Sequence, residues 1–564
     1  MTLQGASLEN SGGFVFSEGG LGVNVSGALT NAAGQILAVR DVNVAADAVE
    51  NRGGLVLGAD ATLAAASVQN STNGRIAAER DLAVSVGGAL NNDAGLLSAN
   101  RDATVSVGTL SNHGGSLTAV GDLALTATTA LAGAGTLGAN QAMTLRGGAL
   151  APGGALEAGT LEVEAQAFEN AAAVRVFGDA AIRGGRFANA GSLGTAGLLG
   201  VNVTGAVTNS GTLASNTDLT VDAGTIANLA NARLLALNDA TLRAGAITNT
   251  GGTIQAGRDL SIEAATLANQ RGPLTTVYSA TDSRGRASGV FGSRPTGELW
   301  QSYTQTETTG PGELLAGNDL ILALGSGLND ASLMGAGRDL LIEGDAFTNH
   351  ARQRLTTVYH TWYRWKSKWR GKKEAVTDLY YQWSGTPATV QAGEGLELAL
   401  AGTLTNSGNL IAGSVNAQAA TINTGLFDYY AQTPPTLEPR SAIDLSQYGS
   451  LPTGPNPLFA ERRDPASRFL IGVDPSLPLS NLVLLSPEYF ATLLGQAEAA
   501  NRFYADPWRK PRFSGAQRSS RRGAPSSSRR RRPTRSSAAR STRRRFASPS
   551  STRGWSSAKP SPTS

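Results

Sequence analysis

The sequence predicts an all-β protein, a parallel β-helix built from coils of about 20 residues, and three observations carry that expectation. A phrase Leu-x-Asn-x-x-Gly recurs with a partner Arg-Asp-Leu, or a relative of it, some ten residues later. Apolar residues alternate with polar ones between these phrases, the period of strands. The composition also denies the chain a large globular core: its 564 residues include 69 Gly but only 14 Phe, 7 Trp and 3 Met.

The repeat keeps one period by two independent markers. Its Asn falls at Asn31, Asn51, Asn70, Asn92 and Asn112, and again at Asn189, Asn209, Asn228, Asn249 and Asn269, in steps of 19 to 22 residues. Its Asp falls at Asp41, Asp60, Asp81, Asp102 and Asp122, then at Asp218, Asp239 and Asp259. Within one unit Ile254 and Ala256, then Leu260, Ile262 and Ala264, alternate with polar residues. This predicts strands of three to five residues broken at Gly and Asn, residues that accept left-handed turns. One unit cannot bury its apolar face, but stacking units about 4.8 Å apart pairs each strand with its equivalent in the next coil. A three-sided coil fits this length. Leu, Ile, Val and Ala would then form ladders in a narrow core where bulky aromatics would not stack. The repeat Asn residues, Asn31, Asn51, Asn70, Asn209, Asn249 and Asn269 among them, are expected at one corner as turn residues joined in an amide ladder. Residues 1–426 form the array, about 80 Å long if roughly 17 coils stack.

Two insertions, at about 270–312 and 350–389, leave the coil directly after the Asn phrase. They open alike, with Leu274-Thr-Thr-Val-Tyr278 and Leu355-Thr-Thr-Val-Tyr359. Thr, Val, Tyr and Trp in alternation predict a hairpin in each. The first carries Trp300 and Tyr303. The second combines Tyr359, Trp362, Tyr363, Trp365, Trp369, Tyr380, Tyr381 and Trp383 with Arg364, Lys366, Lys368, Arg370, Lys372 and Lys373. Aromatic and basic side chains dominate contact energies at interfaces. Trp362, Tyr363, Trp365, Lys366, Lys368, Trp369, Arg370 and Trp383 are therefore the candidate partner contacts, against the alternative that these rings pack the hairpins on each other or on the coil.

After Asn423 the period stops. Residues 427–508 are richer in Tyr and Pro, and Ser486-Pro487 caps a short helix whose Tyr489, Phe490, Leu493, Leu494, Ala497 and Ala500 keep helical spacing. Residues 509–564 hold 17 basic and no acidic groups, and no Leu, Ile or Val. Such a segment buries no core and is expected to be disordered. Its abrupt onset predicts an out-of-frame reading, and with it a broken piece of a longer gene.

The net charge of +4 averages two unlike parts, because the first 508 residues carry 30 basic against 43 acidic groups. Without cysteine, thiolate metal sites and disulfides are excluded. His113, His350 and His360 fall in different repeats or insertions, which argues against a histidine metal site. No metal and no cofactor are expected. No apolar run is long enough to span a bilayer, and Met1–Gly5 lacks the features of a signal peptide.

The Leu-x-Asn-x-x-Gly phrase and Ala-Gly-Arg-Asp-Leu, as at Ala256–Leu260 and Ala336–Leu340, resemble the repeats of filamentous haemagglutinins and the exoproteins of contact-dependent growth inhibition. Phe469-Leu-Ile-Gly-Val-Asp-Pro475 and Ser486-Pro-Glu-Tyr-Phe490, with Phe503-Tyr504, resemble the Tyr/Pro-enriched region that follows the first array in those exoproteins. The resemblance implies a right-handed β-helix. It also implies secretion of the full-length parent through an outer-membrane partner barrel, and a cell-surface receptor or glycan as ligand. Adhesion, biofilm formation or delivery of a C-terminal toxin are the implied roles. The family's N-terminal signal and transport domain are not found here, nor is the helical segment that would follow Tyr504.

Two rival functions are weaker. Parallel β-helices also host polysaccharide-active enzymes, but these need clustered carboxylates, whereas Asp recurs here singly, once per coil. Gly133-Ala-Gly-Thr-Leu-Gly138 has the spacing of a dinucleotide loop but opens no helical pattern. The chain is expected not to be an enzyme. The basic tail would bind phosphate non-specifically, without a recognisable nucleic-acid fold.

Overall fold

A computed structural model describes residues 1–288, 293–368 and 372–425, together with the backbone of two short strands, Phe459–Glu461 and Leu470–Gly472. The expected helix at Ser486 and the basic tail lie outside the described residues. Every regular element described is a strand. Most coils contribute a four-residue strand and a longer one, and both pair in parallel with their equivalents one coil away. Thus Arg75–Ala78 lies between Leu55–Gly58 and Leu96–Ala99, with Ile76 set against Val56 and Leu97. The all-β parallel solenoid expected from the repeat is the fold.

The strands differ from expectation in length. Away from the first two coils and the last, the short ones have four residues, but the long ones run from Val42–Glu50, nine residues, to Thr136–Pro152, seventeen. A corner that was expected to break the strand is instead absorbed by a bulge, as between Val86 and Ala89, so pairing with both neighbouring coils continues around the bend. The glycine that closes the Asn phrase has a separate cause: a Cβ on Gly95 would lie 1.8 Å from the carbonyl oxygen of Asn70 in the preceding coil.

Apolar columns fill the interior. Leu260, Ile262 and Ala256 are buried, as are Ile226, Ile247 and Leu267 in one register column. Aromatics are not excluded: Phe168 and Phe187 are register partners, both buried, with ring centroids 5.4 Å apart and planes within 11°. Parallel rings offset by one coil rise fit the column after all.

The Asn residues form a buried chain of amides in two runs. Asn31 Nδ2 donates to Asn51 Oδ1 at 2.7 Å, Asn51 to Asn70 at 2.7 Å, and Asn70 to Asn92 at 2.8 Å. Asn209, Asn249 and Asn269 belong to the same ladder, which resumes at Asn170 after a break beyond Asn112. In the break stand Gly133 and Pro152, register partners of each other. The dinucleotide-like Gly133–Gly138 therefore runs from a coil corner into the strand Thr136–Pro152, not into a helix.

The ladder passes straight over both insertions. Asn269 donates to Asn329, 60 residues on, at 2.9 Å, and Asn349 to Asn406 at 2.9 Å. The inserted residues Thr276–Gln305 and Leu355–Trp383 form a compact unit of their own.

Candidate contact surface on the inserted sheet

Each insertion forms the expected hairpin, and the two hairpins join edge to edge into one sheet. Its four strands follow the order Leu274–Asp282, Leu299–Glu307, Arg352–Ser367, Lys372–Thr386. The second and third are antiparallel, with Trp300 opposite His360 and Tyr303 opposite Thr357. The first insertion adds a small hairpin of Gly285–Ala287 and Arg294–Thr296. Because side chains alternate across a strand, the aromatic residues divide between two faces.

On one face Trp300 and His360 stack, with centroids 3.7 Å apart. Glu298 Oε2 accepts the Trp300 indole N–H at 3.1 Å and lies 3.0 Å from His360 Nε2. Trp362 Nε1 donates to Asp378 at 2.7 Å, and Tyr380 stacks toward Trp300 at 6.5 Å. Arg364 and Lys366 pair with Glu374, holding its carboxyl below the usual carboxylate range through their hydrogen bonds. These rings do pack the two insertions on each other, the alternative reading of the aromatic cluster.

The other face carries most of the exposed rings, although Trp300 on the first face is itself 40% exposed. Tyr278 and Tyr303 lie 5.1 Å apart, and Tyr359 meets Tyr303 edge-on at 5.9 Å. Arg294 and Lys373 each place a cation about 5 Å from the ring centre of Trp365, at 5.3 and 5.2 Å. Trp365 is 40% exposed, Trp383 45% and Tyr381 62%.

Of the expected contact residues, Trp365 and Trp383 thus stand exposed on the open face, and Lys366 and Lys368 are exposed. Trp362 and Tyr363 are half-buried, and the indole N–H of Trp362 is already engaged. Trp369 and Arg370 lie outside the described residues. Arg294 and Leu379 were not anticipated. Parity along the strand would have separated the faces, since Leu379, Tyr381 and Trp383 share the odd positions with Thr377, which meets Thr361 across the strands. Arg294 comes from the other insertion, and no local signal places it beside Trp365.

Where the insertions leave the coil, an ionic cluster ties their ends. Arg352 bonds Asp330 through Nε at 2.8 Å and reaches the carbonyl of Arg271 at 3.0 Å. Arg271 Nε donates to the Ala331 carbonyl at 2.6 Å, and burial pulls its pKa down. Glu307 accepts from Arg354 at 3.0 Å and from Thr386 at 2.9 Å. Burial pushes the Glu307 carboxyl up, but the Thr386 hydroxyl, its own backbone N–H and the cations Arg354 and Arg271 outweigh that and hold it low.

The coil Asp residues do more than form turns. Asp60 accepts the guanidinium of Arg80 and the backbone N–H of Asp81, both one coil on. Asp81 and Arg101, Asp239 and Arg258, and Asp319 and Arg338 repeat the arrangement. Along this column each arginine pairs chiefly with one carboxylate and in places reaches a second, as Arg80 reaches Asp41 at 3.5 Å. Among the described residues no three His, Cys, Asp or Glu side chains come together as a metal site would need. His113 and His350 instead face single carboxylates, Asp93 and Asp330.

No curated protein and no solved structure matches the chain. The family model for the haemagglutinin repeat matches it seven times, over residues 2–78, 56–102, 99–172, 156–229, 216–288, 279–357 and 382–431. Those matches cover the described coils and both insertions' flanks, so the Asn ladder and the parallel stack have a family: the chain belongs to the haemagglutinin repeat family.

Proposed function

We propose that the chain is a length of a secreted, filamentous-haemagglutinin-like adhesin, a structural rod whose inserted sheet makes the contact with a receptor or glycan on another surface. The observation that carries this reading is the open face of the sheet, where Tyr278, Tyr303, Trp365, Tyr381 and Trp383 stand exposed in a chain only 6% aromatic. Exposed aromatics beside cations are the side chains that anchor interfaces. Export through an outer-membrane barrel, and delivery of a toxin by a longer parent, extend the same reading through the family resemblance. A non-enzymatic role is supported by the coil carboxylates, such as Asp60, Asp81, Asp239 and Asp319, each held singly by an arginine of the next coil.

The test is binding of the labelled chain to intact cells, comparing Trp365→Ser and Trp383→Ser with Trp362→Ser. The two open-face changes should each weaken binding about thirtyfold, the equivalent of about 2 kcal/mol per anchor, with β circular dichroism unchanged. Trp362→Ser should act chiefly on the stability of the sheet. Equal loss from all three, or none from Trp365 and Trp383, would reject the open face as the contact.

A further inference from the structure

The strand Lys372–Thr386 ends the inserted sheet. It has a sheet neighbour on one side, Arg352–Ser367, and among the described residues none on the other. An edge of this length is usually blunted by several charges, a proline or a bulge, because its free N–H and C=O groups template pairing with another chain. Between Ala375 and Trp383 this edge carries a single charge, Asp378, whose carboxylate accepts the Trp362 indole N–H at 2.7 Å. Leu379 is 43% exposed, beside the more exposed Tyr381 and Trp383.

The order of side chains along this edge is self-complementary. The strand has 15 residues, and its midpoint is Leu379. An antiparallel pairing of two copies centred there uses the whole strand and sets Leu379 against its own equivalent. It places Tyr381 opposite Thr377 and Trp383 opposite Ala375, a large side chain against a small one each time. Asp378 falls opposite Tyr380, and no acid meets an acid and no lysine a lysine. Shifting the centre by one residue to Asp378 would set that carboxylate against its own copy, which is destabilising. We propose that Lys372–Thr386 is a homotypic docking edge, through which two copies of this chain join their inserted sheets about a two-fold axis at Leu379. This pairing uses the backbone edge and leaves the ligand of the aromatic face undetermined, so either idea can fail without the other.

The absence of native cysteine makes a direct test available on the full chain. Residues directly opposite across antiparallel strands have Cβ atoms about 4.5–5.5 Å apart, near enough for a disulfide after small adjustment. Under mild oxidation Leu379→Cys should cross-link to a dimer. Ala375→Cys and Trp383→Cys should each stay largely monomeric alone and cross-link when mixed. Light scattering of the unmodified chain should show a dimer that dissociates on dilution. Leu379→Lys and Leu379→Glu should each be monomeric, and their mixture should recover the dimer, which separates a lost edge from a misfolded sheet. A monomer at every concentration overturns the proposal. So does a dimer that survives Leu379→Lys, cross-linking of Leu379→Cys no better than that of a cysteine at Thr62 on the coil, or an open-ended polymer, which would require two different edges.

Discussion

The imidazole of His360 lies flat on the indole of Trp300, with ring centroids 3.7 Å apart and planes within 9°. One ring comes from each insertion, and Glu298 contacts both. This stack joins two excursions that leave the coil 80 residues apart, at Asn269 and Asn349, into one sheet.

If the stack joins the insertions, Trp300→Ala and His360→Ala should each loosen the sheet, and a double-mutant cycle between them should show coupling of about 1 kcal/mol. The readout is the rate of tryptic cleavage at Arg284 and Arg286 in the first insertion. Cleavage there should quicken while the coil remains resistant. A coupling near zero would mean that the two rings touch without stabilising one another.

The Asn ladder should be costly to interrupt in its middle. Asn249 Nδ2 donates to Asn269, Gly252 and Glu313 at 2.8, 3.0 and 3.2 Å, and its Oδ1 accepts from Asn228. Asn249→Ala leaves several buried partners unsatisfied and should cost about 3 kcal/mol in denaturant unfolding. Asn10→Ala, at the first rung, removes bonds to the following coil only, to Asn31 and the Gln35 carbonyl, and should cost clearly less. Equal effects would show that the ladder is turn chemistry without cooperative bonding between coils.

Stability should fall in acid but not between neutral and mildly acidic pH. Asp60 and Asp81 are held below the usual 3.8 by hydrogen bonds from Arg80 and Arg101, and Asp282 falls to about 2 beside Arg284. Depressed carboxylates favour the folded state above their unfolded pKa, and that contribution is lost as pH falls through the folded value. The apparent Tm should therefore stay flat from about pH 7 to about pH 5 and decline below about pH 4. The groups are largely exposed, so the decline should be gradual and should shrink in salt. A fall in Tm between pH 7 and 5.5 would point to a different titrating group.

Much of the fold was legible because a stacked repeat writes the same physics many times. Asn31, Asn51 and Asn70 recur at one spacing because each must meet the next, and Gly95 is glycine because a neighbouring coil passes within contact distance. Strand lengths were misread because a glycine at a bulge and a glycine at a turn look alike in sequence, as near Gly88 and Gly95. The stacked Phe168 and Phe187 were missed since their partnership depends on three-dimensional register. The aromatic cluster was visible, but its division into a packed face holding Trp362 and an open face holding Trp365 needed strand parity. The ring pairings Trp300–His360 and Arg294–Trp365 join residues more than 55 positions apart, beyond any local pattern.

If an uninterrupted haemagglutinin-repeat solenoid carries a separable contact module, excising both insertions is the most direct test. Removing residues 272–311 and 352–387 joins Asn269-Gln270-Arg271 to Gly312, and Asn349-His350-Ala351 to Ala388. Each junction restores a single Asn-x-x-small corner like Asn329-Asp330-Ala331-Ser332. The ladder bonds from Asn269 to Asn329 and from Asn349 to Asn406 already span these gaps. The excised chain should keep its β circular dichroism and cooperative unfolding while losing binding to cell surfaces. Retained binding would place the contact elsewhere on the coil, and loss of the β signal would contradict the independence of the solenoid from its insertions.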